Sequence, residues 1–438
     1  MASFVVRPSG PLAGEVAVQG AKNSALKLMA ACLLAPGRSR LENVPAITDV
    51  DLMAALLGAM GARVGREGAA PGAGTGLPGA DPPTLVVEVP ERLEPVAPYE
   101  LVERMRASVV VLGPLLARQG RARVSLPGGD DFGQRPIDFH LRALGELGAE
   151  FSFEHGYVEG RCGRLLGARV VLEYPSHTTT DNVLMAATLA KGTTVIENAA
   201  CEPEVVDLAG LLTSMGARIS GAGTSRIEVE GVDELRPAVH ATVADRVEAA
   251  TFLAATGIAG GDVHLVGARP EHMDMLLEKL SQMGMDLAPT PRGLRARASG
   301  RLRAVDVATL PYPGVATDYK PLIVTMLSTA SGVAIVSENL FAGRFRYVDE
   351  LRRMGADIRI EGHHAVVRGV QRLSGAKLRA SDIRAGAALV VAGLSAEGET
   401  TVAGAEHVDR GYSAFAEKLR ALGADVERPL RDTALAAG

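Results

Sequence analysis

The stretch Leu57-Gly-Ala-Met-Gly-Ala-Arg-Val64 decides the fold, because five further versions of it occur along the chain. Successive glycines of this series are 87, 68, 68, 71 and 68 residues apart, and the six are Gly61, Gly148, Gly216, Gly284, Gly355 and Gly423. The later versions are Leu144-Gly-Glu-Leu-Gly-Ala-Glu-Phe151, Leu212-Thr-Ser-Met-Gly-Ala-Arg-Ile219, Leu280-Ser-Gln-Met-Gly-Met-Asp-Leu287, Leu351-Arg-Arg-Met-Gly-Ala-Asp-Ile358 and Leu419-Arg-Ala-Leu-Gly-Ala-Asp-Val426. The spacing predicts six copies of one unit of about 70 residues.

Glycine has a physical role at this point of each unit. It adopts the left-handed conformation that ends a helix, so Leu-Gly-Ala indicates a helix end, a turn and the start of a strand. A second glycine series follows an Ala- and Leu-rich helix and precedes a β-branched strand; its members are Gly37, Gly120, Gly192, Gly261, Gly332 and Gly398. Each unit is therefore an α/β unit with two helices. Because both helices are rich in Ala, Leu and Val, we expect both to be buried.

Composition limits the kinds of protein that this chain can be. With 438 residues, 47% apolar and 22% charged, it can bury two cores of three units each. A net charge of −5 gives no electrostatic case for nucleic acid, and no apolar run approaches membrane-spanning length. Residues 1–7 lack a signal peptide's apolar segment, and Cys32, Cys162 and Cys201 neither pair by spacing nor form a metal cluster. We expect a cytoplasmic protein without a metal and without a membrane partner.

The longest interval between units holds an insertion from Gly65 to Pro83 that is dense in Gly, Pro and Ala. This composition is typical of a mobile surface loop. Inside it, Gly74-Thr-Gly76-Leu-Pro-Gly79 matches the GxGxxG pattern of dinucleotide-binding proteins. No strand pattern precedes it and Pro78 stands where a helix should open, so we do not interpret it as a dinucleotide site. No cofactor is expected.

Basic residues in short, glycine-flanked contexts are the strongest functional signal. Lys22 and Asn23 open an apolar helix, where backbone NH groups favour an anion. Five arginines lie near turns of their units: Arg106, Arg135, Arg344, Arg384 and Arg410. Each alone is more commonly a solvated or helix-capping arginine, but all fall at the same edge of their units. Several guanidinium groups across one cleft suit a ligand with both a phosphate and a carboxylate.

Eight short motifs, in order and over essentially the full length, resemble those of the UDP-N-acetylglucosamine enolpyruvyl transferases. They are Gly20-Ala-Lys-Asn-Ser24, Met105-Arg-Ala-Ser108, Leu126-Pro-Gly-Gly129, Arg135-Pro-Ile-Asp138, Glu202-Pro-Glu204, Thr317-Asp318, Asp382-Ile-Arg384 and His407-Val-Asp-Arg-Gly-Tyr412. The resemblance implies two inverse α/β barrels with six βαβαββ-type repeats. It also implies one domain at 22–243, a second made of 1–21 plus 244–438, and an active site in the cleft between them.

The resemblance further implies a reaction and a set of roles. Such enzymes move the enolpyruvyl group of phosphoenolpyruvate onto a hydroxyl by addition and elimination, which needs an acid and a base. Asp318 would be the carboxylate near the acceptor hydroxyl; a helix N-cap is its alternative role. Phosphate would be held by Lys22, Arg135 and Arg410, and carboxylate by Arg344 and Arg384 with Arg106 close by. The implied nucleotide contacts are Asn23, Arg135, Pro136, Ile137, Asp138, Phe139, Ser176, His177, Thr178 and Asp318.

One departure from the family's pattern concerns the acid. Where many members have a cysteine after Pro-Gly-Gly, this chain has Asp130, followed by Asp131. A carboxylate can serve as general acid but is a poorer nucleophile than a thiolate. The resemblance therefore implies catalysis by Asp130, with Lys22 and Arg410, and no covalent trapping of an epoxide inhibitor.

Other departures lie where the resemblance implies the sugar and diphosphate side of the acceptor. They are Ser176-His177-Thr178-Thr179-Thr180, Cys201, Ala342-Gly343 and Tyr319-Lys320. Neutral drift explains any one of them, but a site built for particular polar groups rejects analogues that lack them. The acceptor therefore stays open between UDP-N-acetylglucosamine, in peptidoglycan synthesis, and another uridine nucleotide. The changes lean towards the 3′-hydroxyl of UMP, in nucleoside-antibiotic synthesis. A non-catalytic, anion-binding repeat scaffold is a further alternative.

Overall fold

In the computed structural model, which describes residues 2–67, 83–128, 137–341 and 343–429, each glycine of the first series ends a helix, and each glycine of the second series follows a helix and leads into a strand. The glycines of the first series have φ between 88° (Gly355) and 108° (Gly216 and Gly284), and those of the second series are also left-handed. Both predicted series are therefore confirmed. Apart from residues 65–67 and 83, the predicted insertion loop lies outside the described residues.

The strands are short and occur in groups along the chain. In chain order they are β1 (Ser3–Val6), β2 (Leu12–Ala17), β3 (Gly37–Glu42), β4 (Arg63–Glu67), β5 (Thr84–Val89), β6 (Val96–Ala97), β7 (Arg121–Ser125), β8 (Glu150–Glu154), β9 (Tyr157–Arg161), β10 (Arg169–Val171), β11 (Thr193–Glu197), β12 (Arg218–Ser220), β13 (Arg226–Glu230), β14 (Val239–Ala241), β15 (Gly261–Val266), β16 (Asp286–Thr290), β17 (Gly293–Ala298), β18 (Val307–Ala308), β19 (Val333–Ser337), β20 (Asp357–Glu361), β21 (His364–Arg368), β22 (Lys377–Arg379), β23 (Thr400–Ala403) and β24 (Val426–Glu427).

The helices alternate with these strands. They are α1 (Lys22–Ala31), α2 (Thr48–Ala59), α3 (Tyr99–Val102), α4 (Leu112–Gln119), α5 (Asp138–Glu146), α6 (His177–Ala187), α7 (Pro203–Ser214), α8 (Arg246–Ala259), α9 (Asp274–Met283), α10 (Lys320–Leu327), α11 (Tyr347–Arg353), α12 (Ile383–Gly393), α13 (Ala405–Asp409) and α14 (Phe415–Ala421). Three 3₁₀ helices are described, Cys32–Leu34, Arg106–Val111 and Pro270–His272.

The described strands form six four-stranded sheets with one shared topology. In the sheet β10-β11-β13-β12, the first pair is parallel, with Arg169 opposite Val195. The next pairs are antiparallel, with Thr193 and Arg218 both opposite Glu230. With α6 and α7 between its strands, this unit has the predicted βαβαββ order, and the unit of β18 to β21 repeats it.

Two units are completed by strands from distant parts of the chain. Strand β14 pairs in parallel with β3, so the first unit takes its edge strand from residues after the third unit. The N-terminal strands complete sheets of the C-terminal half, since β2 pairs with β15 and β1 pairs with β23 and β24. The two points at which the chain passes from one half to the other lie side by side, and there the Ala21 NH donates to the Val243 carbonyl (2.7 Å). Domains of 22–243 and of 1–21 plus 244–438 remain our proposal for the boundaries.

The apolar side chains form two separate hydrophobic cores. One core contains residues from Ala25 to Leu235, and the other contains Phe4 to Val18 together with Val247 to Val426. At the centre of the second core, α8, α10 and α12 pack against one another, and every residue of α12 is buried.

The second helix of each unit is not buried as predicted. In α9 only Leu276, Leu280 and Met283 are buried, and α5 and α11 are likewise buried along one face. The prediction was wrong because an apolar composition does not distinguish a helix surrounded by others from an outer helix that covers a core with one face. No helix in the described part of the chain is long and apolar enough to cross a membrane.

Candidate active site

One group of charged side chains joins the two halves of the chain at Asp49. Asp49 lies in the first turn of α2, and 1% of its side chain is exposed. Lys22, the first residue of α1, places Nζ 2.8 Å from Asp49 Oδ2. Arg410, directly after α13, donates from Nε to Asp49 Oδ1 (2.8 Å) and from Nη2 to Asp49 Oδ2 (3.3 Å). Burial would raise the pKa of Asp49, but the charges of Lys22 and Arg410 outweigh it and lower the pKa.

A second group of charges is centred on Asp318. Arg344 donates from Nη1 to Asp318 Oδ1 (2.7 Å), and Arg384 donates from Nε to Asp318 Oδ2 (3.3 Å). Arg384 is held in the first turn of α12, where Asp382 caps the helix by accepting from the NH groups of Arg384 and Ala385. Both guanidinium groups are buried, whereas 26% of the Asp318 side chain is exposed. The two arginines predicted to bind a carboxylate therefore hold a carboxylate of the protein itself.

The electrostatics of Asp318 connect the two groups. Burial would raise the pKa of Asp318, but Arg344 and Arg384 outweigh it and hold the pKa well below its ordinary value. Lys22 acts in the same direction on Asp318, so the two groups are neighbours. The alternative role of Asp318 as a helix N-cap is wrong, because α10 begins after Tyr319 and has no side-chain cap.

Behind Asp318 lies a buried ion pair between Lys320 and Glu338. Lys320 Nζ is 2.7 Å from Glu338 Oε2, and both side chains are fully buried. Burial lowers the pKa of Lys320 to about 8, although Glu338 opposes the shift. Thr317 Oγ1 donates to Glu338 Oε2 (2.7 Å), and Arg344 Nη1 donates to Thr317 Oγ1 (3.2 Å). This pair is therefore connected through Thr317 to Arg344, the arginine partner of Asp318.

A buried ion pair also crosses between the halves on the other side of the site. Arg246, the first residue of α8, donates from Nε to Glu204 Oε1 (2.9 Å) and from Nη2 to Glu204 Oε2 (3.2 Å). Its Nη1 donates to the Tyr319 hydroxyl (3.3 Å). Burial would raise the pKa of Glu204, but Arg246 outweighs it and the pKa falls to about 2. The Glu202-Pro-Glu204 motif thus supplies an ionised partner for the second half.

The predicted acceptor residues Ser176, His177 and Thr178 lie together at the start of α6. Ser176 caps the helix through its hydroxyl. His177 Nε2 lies 3.1 Å from Lys27 Nζ, and Thr178 Oγ1 lies 3.3 Å from His140 Nε2. These side chains are partly buried and form one edge of the candidate site.

The remaining predicted nucleotide contacts lie on α1 and at the start of α5. Asn23 is partly exposed, Ile137 is buried, and 53% of the Asp138 side chain is exposed. Phe139 lines a cavity of about 260 Å³ between α5 and β10. The cavity supplies a recess next to the residues predicted to contact the base.

Arg106 lies on the same side of the site, at the start of a 3₁₀ helix. Burial, with a smaller contribution from the charge of Arg106, lowers the pKa of His140 to about 3. His140 contacts Thr178, so Arg106 lies beside the start of α6.

Comparison with known proteins places this chain in a family. A model described as EPSP synthase (3-phosphoshikimate 1-carboxyvinyltransferase) matches residues 6–419. The chain belongs to the EPSP synthase family. A UDP-N-acetylglucosamine 1-carboxyvinyltransferase of an Anaeromyxobacter species is 49% identical over 430 residues, which are 98% of this chain and 99% of the relative. One of Corynebacterium jeikeium is 46% identical over 429 residues, again 98% and 99%. The chain is accordingly an enolpyruvyl (1-carboxyvinyl) transferase.

Solved structures agree on the fold of this EPSP synthase family member. The enolpyruvyl transferase NikO of Streptomyces tendae has a TM-score of 0.85 at 24% identity, covering 97% of this chain and 98% of its own. An EPSP synthase of Acinetobacter baumannii has a TM-score of 0.74 at 20% identity, covering 98% and 100%. At these identities the likeness shows the fold alone. The predicted two-domain inverse α/β architecture is confirmed.

Some predicted site residues of this family member fall outside the described residues. They are Asp130, the candidate general acid, with its neighbour Asp131, and Arg135 and Pro136 on the nucleotide side. Within the described residues, no group of three or more His, Cys, Asp or Glu side chains is placed to hold a metal ion.

Sequence reasoning missed Asp49 and Arg246, although signals for both exist. Thr48-Asp49 opens α2, and the similar dipeptide Thr317-Asp318 lies just before α10. Asp245-Arg246 repeats the Asp-Arg pair of residues 409–410. Since the six units share one plan, equivalent polar residues at the same edge could have been compared between units.

Glu202 provides a test of the buried charges. Burial raises the pKa of Glu202 to about 7; Arg246 opposes the rise, and Glu204 adds to it. Folding therefore favours the protonated form, so stability falls as pH rises from about 4.5 to 7. We expect Glu202→Gln to raise the free energy of unfolding, relative to wild type, by more at pH 8 than at pH 5. The two increases should differ by about 2 kcal/mol. Thermal denaturation at both pH values measures this. The exposed Glu234→Gln should show no such difference, and equal behaviour of Glu202→Gln at both pH values would contradict the expectation.

Proposed function

We propose that the protein transfers the enolpyruvyl group of phosphoenolpyruvate to a hydroxyl of UDP-N-acetylglucosamine and releases phosphate. The observation that supports this choice of acceptor is the 49% identity, over 98% of the chain, to a UDP-N-acetylglucosamine 1-carboxyvinyltransferase. The likeness to NikO, at 24% identity, supports the fold but not an acceptor. The similarity therefore moves our preference away from the UMP acceptor that the sequence departures favour.

Lys22 and Arg410 are our candidates for binding the phosphate of phosphoenolpyruvate. They are on opposite halves of the chain and both pair with Asp49. A phosphate dianion offers more acceptor oxygens and more charge than a carboxylate, so it can take both cations from Asp49. Arrival of the substrate would thus replace one anion by another at the join between the halves.

Arg344 and Arg384 are our candidates for binding the substrate carboxylate. Both pair with Asp318 without a ligand, and that pairing depresses the pKa of Asp318. A substrate carboxylate that takes over the arginines would partly neutralise them and release Asp318. Its pKa would then rise towards the ordinary range, because the favourable charge would be shared. Asp318 would become a better base when the substrate is bound.

The chemistry then needs one addition and one elimination. The acceptor hydroxyl oxygen bonds to C2 of phosphoenolpyruvate while a proton adds to C3, which gives a tetrahedral intermediate. Loss of a proton from C3 and cleavage of the C2–O bond to phosphate give the enolpyruvyl ether. In this proposal Asp318 takes the hydroxyl proton, and the cations stabilise the charge on phosphate as it leaves. Asp130 remains the predicted acid for C3.

A short uridine nucleotide such as UMP is the second candidate acceptor. The observation that favours it is that His177 and Tyr319, at positions expected near the sugar and diphosphate, are held in polar contacts with Lys27 and Arg246. Both residues depart from the family's pattern, and a site built for particular polar groups rejects analogues that lack them. A cytoplasmic location remains a prediction with either acceptor.

Phosphate release with UDP-N-acetylglucosamine, UDP, UMP and uridine distinguishes the candidates. We expect kcat/KM for UDP-N-acetylglucosamine to be higher than that for UMP by about 100-fold, because a polar site penalises an acceptor that leaves its groups unpaired. Asp138→Ala should weaken both substrates, whereas Asp357→Asn, exposed on β20, should weaken neither. Efficient reaction of UMP without reaction of the nucleotide sugar would overturn the proposal in favour of the second candidate.

A further inference from the structure

A buried polar cluster that the proposed mechanism does not use lies beneath the acceptor edge of the site. It consists of Lys27 on α1 and of His177 and Asp181 on α6. Lys27 Nζ lies 3.1 Å from His177 Nε2 and 3.3 Å from Asp181 Oδ2. Only 4% of the Lys27 side chain and none of Asp181 is exposed, compared with 19% of His177. Of the three residues, His177 is the one that reaches the surface of the cleft.

Lys27 determines which ring nitrogen of His177 carries the proton. Burial and the charge of Lys27 lower the pKa of His177 well below its ordinary value, so the imidazole is neutral. An ammonium group can only donate, so Nε2 must accept from Lys27 and the proton must be on Nδ1. Asp181 Oδ2, 3.5 Å from the same Nε2, would favour the opposite tautomer. The ammonium group is closer to both of these atoms than they are to each other, and its contact with Nε2 opposes that arrangement.

Nδ1 is the part of this cluster that is open to a ligand. Among the described residues, Nδ1 of His177 has no hydrogen-bond partner. The atom is also not buried, so a ligand can reach it. Charges from the other half of the chain, Arg246 and Asp318, act on the same imidazole. The Nδ1–H group therefore lies at the join between the halves, close to the candidate base.

We propose that Lys27 is a positioning residue for the acceptor: it holds His177 in the Nδ1–H tautomer, so that the imidazole presents a hydrogen-bond donor to the phosphate oxygens of a uridine nucleotide. Those oxygens can only accept hydrogen bonds near neutral pH, so the opposite tautomer would place a lone pair against them. The proposal rests on the proposed function for the identity of the ligand. It goes beyond it in assigning recognition to a residue that does not touch the acceptor.

Removal of the ammonium group makes a specific pH dependence. The charged groups around His177 are Lys27, Asp181, Glu204, Arg246 and Asp318. Burial raises the pKa of Asp181 to about 6 even beside Lys27, so in Lys27→Met Asp181 ionises only at higher pH; once ionised, it accepts a hydrogen bond from Nε2–H, which leaves Nδ1 as an acceptor. At low pH the His177–Asp181 pair gains a proton, and Nδ1–H returns. The variant should therefore bind the acceptor normally at pH 5.5 and poorly at pH 8, whereas wild type keeps Nδ1–H at both.

Two measurements on the full chain test the proposal. Long-range ¹H–¹⁵N spectra of the histidine-labelled protein without ligands, assigned with His177→Val, should show Nδ1–H in wild type and Nε2–H in Lys27→Met at pH 8. Calorimetric titration with UDP-N-acetylglucosamine should show affinity about 10–100-fold lower for Lys27→Met at pH 8, since a hydrogen bond to a charged group is lost. At pH 5.5 the loss should be within threefold. The KM for phosphoenolpyruvate should change less than twofold at either pH.

Matched variants separate positioning from a structural role. Lys27→Arg keeps a group that can only donate and should keep the tautomer. The double variant Lys27→Met, His177→Val should bind no more weakly than His177→Val alone, because Lys27 acts only through the imidazole. His177→Asn, which keeps a donor near the Nδ1 position, should bind better than His177→Gln, and this comparison holds even if Lys27→Met does not fold.

The outcomes distinguish this proposal from the proposed function. An Nε2–H tautomer in wild type, or additive losses in the double variant, would overturn the role of Lys27. Nucleotide binding with the expected pH dependence but without phosphate release would overturn only the proposed function. Absence of binding by any uridine nucleotide would overturn both.

Discussion

Asp318→Asn is expected to lower kcat by about 10²–10⁴-fold, which is the usual contribution of a positioned acid or base. The amide keeps the shape of Asp318 and can still accept from one of its two arginine partners, but it cannot take the hydroxyl proton. Because the charge that competes with the substrate carboxylate is removed, KM for phosphoenolpyruvate should stay the same or fall. Initial rates of phosphate release, with phosphoenolpyruvate varied at saturating acceptor, measure both quantities.

The control for this variant is Asp357→Asn, at an exposed carboxylate on β20, which should behave as wild type. A kcat of Asp318→Asn within threefold of wild type would remove Asp318 from the proton transfer. A large rise in KM at unchanged kcat would instead make it a binding residue.

Arg410→Met is expected to lower kcat/KM for phosphoenolpyruvate by about 10²–10³-fold, because truncation of one partner of a buried charge pair costs roughly 2–5 kcal/mol. The guanidinium group makes two contacts to Asp49 across the two halves and is 15% exposed. Its loss removes a candidate phosphate ligand and leaves Asp49 with Lys22 alone. Kinetics with varied phosphoenolpyruvate, and binding of the nucleotide measured separately, test this result.

Two companion variants identify the reason for the loss. Arg410→Lys keeps the charge without the two-pronged geometry, so its loss should be intermediate. Asp49→Asn removes the competing anion and should not raise KM for phosphoenolpyruvate. If Arg410→Met kept the wild-type kcat/KM, or weakened only the nucleotide, the phosphate would have to be bound elsewhere.

Local sequence was a good guide where the cause of structure is local. Gly61 and Gly120 end helices because only a residue without Cβ takes their positive φ easily, and this requirement is visible in each unit separately. Exposure of the outer helices was predicted wrongly, since it depends on what covers the other face of a helix such as α9. Composition within a helix does not contain that information.

The site shows the same division. Motifs identified Lys22, Arg344, Arg384 and Arg410 as candidate cations, and the structure groups them in two pairs. No motif indicated that each pair holds a carboxylate of the protein. The roles of the four cations in binding substrate remain predictions.

The sequence by itself determined the six α/β units, the turns between them and the residue types that the candidate site contains. Only the tertiary structure decided that Asp49 contacts both Lys22 and Arg410, although Arg410 is 361 residues away in the sequence. It also decided that Lys27 contacts His177, which is 150 residues away. The physical reason is that helix ends depend on neighbouring residues, whereas the partner of a buried charge depends on which units pack together. Packing of the units brings these side chains into contact, and that contact sets their charge and tautomer.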